Sequence, residues 1–536
     1  MKATTKTQRI ISVILTLLMA VSLLSVNAFA LNGTDTGTIT VENAEQGVTV
    51  TAYRLMTANV NANGQPADPE YTWDSAVADW VRTNYSTYIG TGTDNSVKKP
   101  FSPDNDPAIS DAEVAAFYDA LASAIRGGTV TLSAAKTATT DSSGKAILGG
   151  LSMGNYLILV EGGMRVYRPA AANLVPKYTD DWAVAADPAT VDVAISLKSS
   201  EPSIDKKIVD SGYTDETENA NIGDTVKFEL NSAIPTYPAK AITKQYWISD
   251  KVSDGLTFDA DSLKVYGVNG STETPLAKGT AFTQSTTRPT GNGAEKEVTF
   301  ALSFDYDKIK SYDFIKVTYS AVLNKDAVTG ADGNQNTAYL DYNNNPYQAT
   351  SWKTKDDETT VYTYGIEVVK VDEKETTKPL AGAEFSISDG TTAIQFSQDA
   401  TTNVYYKDDV NGSTTLTTGS DGKINVKGLD EGTYTLTETK APGGYLLPTN
   451  NTVTVEIKDK DASNVIDGKI AVPNANGVGT TDEGTGIVSK TITNTTGFRL
   501  PQTGGLGTVV FTMIGILLMG AGIALVVVTI ARRRRG

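Results

Sequence analysis

Cysteine and histidine are both absent from this chain. Without cysteine it can form no disulfide and no thiolate metal site, so its domains must be held by large cores or by some other crosslink. Without histidine it lacks the commonest general base, the usual catalytic triads and the commonest metal ligand. The most frequent enzyme designs are thereby excluded, and neither a metal nor a cofactor is expected. Long amphipathic stretches are scarce as well. What is abundant is threonine, valine, tyrosine and glycine, a composition that favours β-structure. The formal net charge is −16, and the two ends carry basic residues but no acid: Lys2, Lys6 and Arg9 at one, Arg532 to Arg535 at the other. The body of the protein is therefore more acidic still, which argues against a nucleic-acid partner and against anionic lipid.

Both ends read as processing segments. Lys2, Lys6 and Arg9 precede an apolar stretch from Ile10 to Leu24, and Ala28 and Ala30 then provide the small-x-small pattern of a signal-peptidase site. Residues 1–30 are expected to leave as a signal peptide, with cleavage between Ala30 and Leu31. At the other end, Leu500, Pro501, Gln502, Thr503 and Gly504 are followed by an apolar run from Val509 to Ile530 and by Arg532 to Arg535. The run is long enough to span a bilayer, and the arginines hold the end in the cytoplasm. Residues 500–536, in this order, resemble the cell-wall sorting signal of Gram-positive surface proteins. The resemblance implies that a sortase cleaves between Thr503 and Gly504 and passes the new carboxyl to an amine, so that the helix retains the chain only transiently.

Three blocks lie between the ends, at 31–197, 198–362 and 363–499. The first has strand-like runs at 37–42, 48–54 and 144–159, with a helical interruption. There Ser110 and Glu113 form a capping box ahead of Val114, Phe117, Leu121 and Ile125 at helical spacing. The second alternates apolar and polar residues throughout, as at Ile315, Val317, Tyr319, Ala321 and Leu323. The third has short strands separated by glycine and aspartate turns. The fold expected is all-β: tandem immunoglobulin-like sandwiches, with short helices inserted in the N-terminal domain.

In the third block, period-2 alternation puts Lys370 on one face with Ile366 and Val368, Glu438 with Tyr434 and Leu436, and Asn494 with Val488, Lys490 and Ile492. Lysine and glutamate are rarely buried unless paired. Tyr434, Leu436, Glu438, Ala441, Pro442, Gly444 and Tyr445 resemble the E-box of CnaB-type domains in Gram-positive pilins and adhesins. That resemblance implies an autocatalytic isopeptide bond between Lys370 and Asn494, assisted by Glu438. In the second block, Lys206 shares a face with Ile204 and Ile208, and Tyr246 to Asp250 resembles the acid segment of CnaA-type pilin domains, implying Asp250 as proton relay. Asn324 matches the family's closing segment and the spacing of the third block's pair, and is preferred; Asn336 has the better local alternation. In the first block Glu161 lies on a strand but lacks the E-box residues, and carries no assigned role.

The set and order of parts resemble a major, or backbone, pilin subunit of Gram-positive sortase-assembled pili. In that family a lysine before the CnaA-type domain accepts the sorting threonine of the next copy. Trp182 followed by the 191–198 run places Lys198 there, although Ser196 and Leu197 stand where Tyr-Pro is usual; Lys177, after Pro176, is the competitor. The resemblance implies a structural rather than enzymatic role, at the cell wall. The partners it implies are further copies of this chain, a pilin sortase and a housekeeping sortase, and peptidoglycan. It leaves room for tip or basal pilins and for a host-surface ligand. The alternative is a monomeric or minor wall-anchored adhesin.

Overall fold

A computed structural model of the chain describes residues 35–61, 65–98, 111–175, 192–210, 213–290, 294–458, 466–470, 481–482, 484–497 and 506–534. Strands dominate, and the all-β expectation holds. Packing divides the chain into two compact units, one of residues 1–216, 225–322 and 334–360, the other of residues 217–224, 323–333 and 361–536. The short segments go with the second unit through backbone bonds such as Ala220 N–H to the Tyr362 carbonyl and Ile222 N–H to the Gly428 carbonyl.

The first unit holds the first two blocks. In the first block, strand Thr36–Glu42 pairs antiparallel with Ala146–Ser152 and parallel with Val193–Ser196. A second sheet has Thr49–Val60 between Pro66–Trp73 and Gly154–Glu161, with Ala170–Leu174 beyond. Between the sheets lie Ile39, Val41, Val50, Leu148, Tyr156 and Ile158. The outer face of the second sheet is covered by helices Ser75–Asn84 and Asp111–Arg126. The second helix is the expected one, with Phe117 and Leu121 fully buried and Val114 and Ile125 partly so; Ser110 lies outside the described residues. The shorter helix is capped by Asp74, whose side chain accepts the Ala76 N–H at 3.1 Å, and buries Val77, Ala78 and Val81. Phe117 is the hub of this layer, with the rings of Trp73, Trp80, Tyr85, Tyr88 and Tyr118 all within 6.1 Å of its centroid.

The second block is a sandwich. One sheet runs Ile204–Asp210, Thr225–Ala233, Phe314–Leu323, Leu256–Asn269; the facing sheet runs Trp352–Tyr362, Asn334–Asn343, Tyr246–Val252, Glu295–Phe304. The alternation read in Phe314–Leu323 is real: Ile315, Val317, Tyr319 and Ala321 are buried and their neighbours are not.

The second unit is another sandwich. One sheet centres on Tyr364–Asp372, flanked by Lys423–Leu429 and Ile487–Asn494; the other is Glu384–Ser388, Gly432–Lys440 and Thr452–Ile457 with a short edge strand. Their inner faces meet through Ile366, Val368, Phe385, Leu436, Val455 and Val488. Helix Leu506–Arg533 follows; by length and composition it can cross a membrane.

Replacing Phe117 by alanine should destabilise the helical layer by about 3–5 kcal/mol, because five rings lose their common contact. Urea unfolding followed by tryptophan fluorescence measures this through Trp73 and Trp80; a loss below about 1 kcal/mol would mean that the layer does not depend on it.

Candidate crosslinking sites

Each sandwich buries a lysine, and both are placed by strand alternation. Lys206 lies on strand Ile204–Asp210 opposite Leu230, and it is 0% exposed while Lys207 turns out to pair with Asp205 at 3.1 Å. Its ammonium nitrogen contacts Asp250 Oδ2 directly and donates to the Tyr319 hydroxyl at 2.8 Å. Asp250, also 0% exposed, comes from Tyr246–Val252 on the facing sheet. Burial pulls the Lys206 amine below its ordinary range and pushes the Asp250 carboxyl above its own, with the mutual attraction of the two opposing both shifts. Burial in this low-dielectric site thus works against charge on both groups.

The amide of this cluster is Asn336. It is fully buried on Asn334–Asn343, the strand beside Asp250, and its Nδ2 donates to the same Tyr319 hydroxyl at 2.8 Å. Asn324 sits elsewhere, half-buried in the turn that follows Phe314–Leu323, where its side-chain oxygen accepts the Asp326 N–H at 2.7 Å. The preference for Asn324 is thus replaced by Asn336. Residue spacing misled because strand and turn lengths differ between the two sandwiches, whereas the alternation with Ala338 and Leu340 reported the inward face correctly.

In the second unit, Lys370 and Asn494 come from neighbouring parallel strands. Lys370 is opposite Ile492 and Asp372 is opposite Asn494, so the asparagine lies one inward position along from the lysine. Glu438 reaches them from the facing sheet, 3.3 Å from the Lys370 amine, which is ion-pair distance without hydrogen-bond alignment. All three are at most 1% exposed. Burial lowers the Lys370 amine below its ordinary range, and Glu438 opposes that shift. Asn494 Nδ2 donates to the Leu446 carbonyl at 2.7 Å.

Buried polar atoms are nearly always hydrogen-bonded. Among the described residues, eleven buried side-chain atoms are not, and six of them belong to these two clusters: Asp250 Oδ1, Asn336 Oδ1, Lys370 Nζ, both Glu438 oxygens and Asn494 Oδ1. The unsatisfied polarity is thus concentrated where an amine, an acid and an amide meet. Condensing amine with amide is the chemistry such a set can perform.

Lys198 is the opposite case. The chain around it is pinned, because the buried Leu197 donates its N–H to the Glu42 carbonyl at 3.1 Å and the Lys198 carbonyl accepts the Arg168 N–H at 3.0 Å. Its side chain is exposed. Ala30, Leu31, Lys177, Trp182 and Leu500 to Gly504 lie outside the described residues. Every described lysine of the first block is exposed, and Glu161 there pairs with Arg126. No described group of three or more acidic side chains is arranged to hold a metal.

Comparison with known proteins follows the same division. Residues 365–469 match the SpaA prealbumin-like fold domain, and residues 222–346 match the Gram-positive pilin backbone subunit 2, Cna-B-like domain. The sequence resemblance had implied the CnaA type for that second stretch. The trypsin-resistant surface T6 protein of Streptococcus pyogenes serotype M6 is 29% identical over 580 residues, spanning 96% of this chain and 98% of that protein. Among solved structures, the T6 backbone pilin of serotype M6 Streptococcus pyogenes superposes with a TM-score of 0.55 at 22% identity, over 87% of this chain and 99% of that one. The major pilin SpaD of Corynebacterium diphtheriae gives 0.48 at 19% identity, over 87% and 99%. The T6 superposition shows a common multi-domain β fold.

The contrast among the lysines can be measured directly. Brief acylation of the folded chain with a water-soluble active ester, followed by peptide mapping, should label Lys198 and leave Lys206 and Lys370 untouched. Label on either of the latter two would contradict their burial.

Proposed function

We propose, from the premise that this chain is a backbone pilin of Gram-positive pili, that it is the repeating shaft subunit of a covalent surface fibre. A sortase cleaves after Thr503 and transfers that carbonyl to the Lys198 amine of the next copy. The shaft grows head to tail, and the last acceptor is the peptidoglycan. The observation that carries this reading is the pairing, in each of two sandwiches, of a fully buried lysine with a buried acid and a buried asparagine. Such clusters suit a protein crosslinked within its domains as well as between them.

Within each domain the lysine amine attacks the asparagine Cγ. The N–Cγ bond forms, the Cγ–Nδ2 bond breaks, and the nitrogen departs as ammonia with the proton that the amine gave up. Burial supplies the neutral nucleophile, and the acid beside it polarises the amide carbonyl and moves the proton. The pairs are Lys206 with Asn336, assisted by Asp250, and Lys370 with Asn494, assisted by Glu438. Each reaction occurs once per chain, as maturation rather than turnover. Treated as a closed loop of more than a hundred residues, each bond adds about 4–5 kcal/mol by the chain-entropy relation used for disulfides, and reductants cannot cleave it.

Wall extracts boiled in detergent should show a ladder of covalent multimers, and Lys198→Ala should collapse it to monomer. A ladder that survives Lys198→Ala would assign the acceptor elsewhere, to Lys177 first. No ladder from the unaltered chain would indicate a monomeric wall-anchored adhesin.

The intact mass of the chain should fall short of its sequence mass by two ammonias beyond signal removal. Glu438→Ala should restore one of them, with the crosslinked peptide containing Lys370 and Asn494 lost from the digest; an unchanged mass would refute the role of Glu438.

A further inference from the structure

The two clusters differ in one respect that their shared chemistry does not require. In the first unit a phenol sits among the reacting groups. Tyr319 lies at an inward position of strand Phe314–Leu323 and is fully surrounded by protein. Its ring stacks on Phe228 with centroids 5.2 Å apart and meets the edges of Phe300 and Phe258 at 5.2 and 5.6 Å. These contacts fix the hydroxyl in space. The oxygen accepts from Lys206 Nζ at 2.8 Å and from Asn336 Nδ2 at 2.8 Å, and the Asp250 carboxyl is close enough to interact with the hydroxyl as well. One oxygen atom therefore touches both the attacking nitrogen and the departing nitrogen. Among the described residues the second unit has no counterpart: Asn494 Nδ2 donates to a backbone carbonyl, and the Lys370 amine has no aligned hydrogen-bond partner.

We propose that Tyr319 is a catalytic residue of the Lys206–Asn336 condensation, holding the amide with its nitrogen toward the phenol and relaying the proton that turns that nitrogen into ammonia. The proposal rests on the reading of this cluster as an isopeptide site. With Asn336 Nδ2 held by Tyr319, its Oδ1 is left free of other hydrogen-bond partners, as is Asp250 Oδ1. As Lys206 Nζ bonds to Cγ, it passes a proton to Asp250 Oδ2, with which it is already in contact. Asp250 gives the proton it already held to the Tyr319 oxygen, and the Tyr319 hydroxyl gives its own to Nδ2. The Cγ–Nδ2 bond then breaks. Asp250 ends protonated and Tyr319 ends neutral, as both began, and the proton lost by Lys206 has left on ammonia. Burial keeps the phenol protonated throughout, since it raises the hydroxyl well above its ordinary range.

The test follows crosslink formation in the full chain after cell-free synthesis, by quantifying the Lys206–Asn336 and Lys370–Asn494 peptides over time. Tyr319→Phe keeps the ring and removes the hydroxyl. The Lys206–Asn336 bond should then form about a hundredfold more slowly, within the range of one lost acid–base group, while the Lys370–Asn494 bond forms at its ordinary rate as internal control. An unchanged Lys206–Asn336 rate would overturn the proposal and leave the crosslink itself standing. A folded, unaltered chain that never forms this bond would overturn the underlying reading, and the proposal with it. Should Tyr319→Phe fail to fold, fluorinated tyrosines placed at 319 preserve packing while making the phenol progressively more acidic. The rate should change severalfold across that series, and a flat series would reduce Tyr319 to packing.

Discussion

Everything in the two sandwiches turns on an amine taken out of water beside an acid. Moving a charged lysine and a charged carboxylate into an apolar interior costs several kcal/mol per ion, and their attraction repays this only when geometry and further hydrogen bonds are excellent. Here the geometry is close but the hydrogen bonds are incomplete, with Asp250 Oδ1 and both Glu438 oxygens unsatisfied. As a salt bridge either cluster would be a poor stabiliser. As a set of reactants it would be well arranged, because the burial that penalises charge on the lysine is also what would make its amine nucleophilic. The surrounding rings reinforce this. The rings of Phe228 and Tyr319 lie 5.3 and 5.4 Å from the Lys206 nitrogen, and Phe385 lies 5.9 Å from that of Lys370, so aromatic rings stand where water would otherwise solvate the amine.

The two units would reach the proposed chemistry by different routes through the same architecture. In the second unit, lysine and asparagine occupy adjacent parallel strands of one sheet and only the acid crosses from the other. The proposed bond there ties the strand that opens the sandwich to the one that closes it, so tension on the chain passes from one to the other without loading the strands between. In the first unit the lysine and the phenol belong to one sheet while the acid and the amide belong to the other. A bond there would staple sheet to sheet. It would resist the sheets sliding apart, a failure to which a sandwich held only by non-directional apolar contacts is open.

Strand alternation carried most of what was legible in the sequence. It put Lys206, Lys370, Glu438 and Asn494 inward with no knowledge of their partners, and each is at most 1% exposed. It also put Tyr319 inward, but a tyrosine among valines and isoleucines reads as core, and nothing local signals that its hydroxyl will meet a lysine from two strands away. Asn336 was visible by the same rule and lost to Asn324 on spacing, a quantity that depends on loop lengths rather than on faces. The capping box pointed to helix Asp111–Arg126, while the shorter helix Ser75–Asn84 went unnamed because ten residues with three buried positions make a faint period. Pairing between sheets is non-local, and so the membership of each cluster had to come from the fold.

In the proposed scheme burial, rather than residue type, would set what each lysine does: Lys198 is exposed where Lys206 and Lys370 are sealed. An amine meant for an internal amide must be sealed from water and from every other electrophile, and Lys206 and Lys370 are. An amine meant for the acyl group of an enzyme must protrude into solvent while its backbone stays in place, since a wandering acceptor would forfeit the advantage of orientation. The 196–199 stretch fits both needs: Leu197 is buried, its N–H is bonded to Glu42, the Lys198 carbonyl is bonded to Arg168, and the Lys198 side chain is exposed. Leu197 thus supplies by packing the rigidity that a proline would supply through its ring, which is a physical argument for proposing Lys198 as the acceptor although the usual Tyr-Pro is missing.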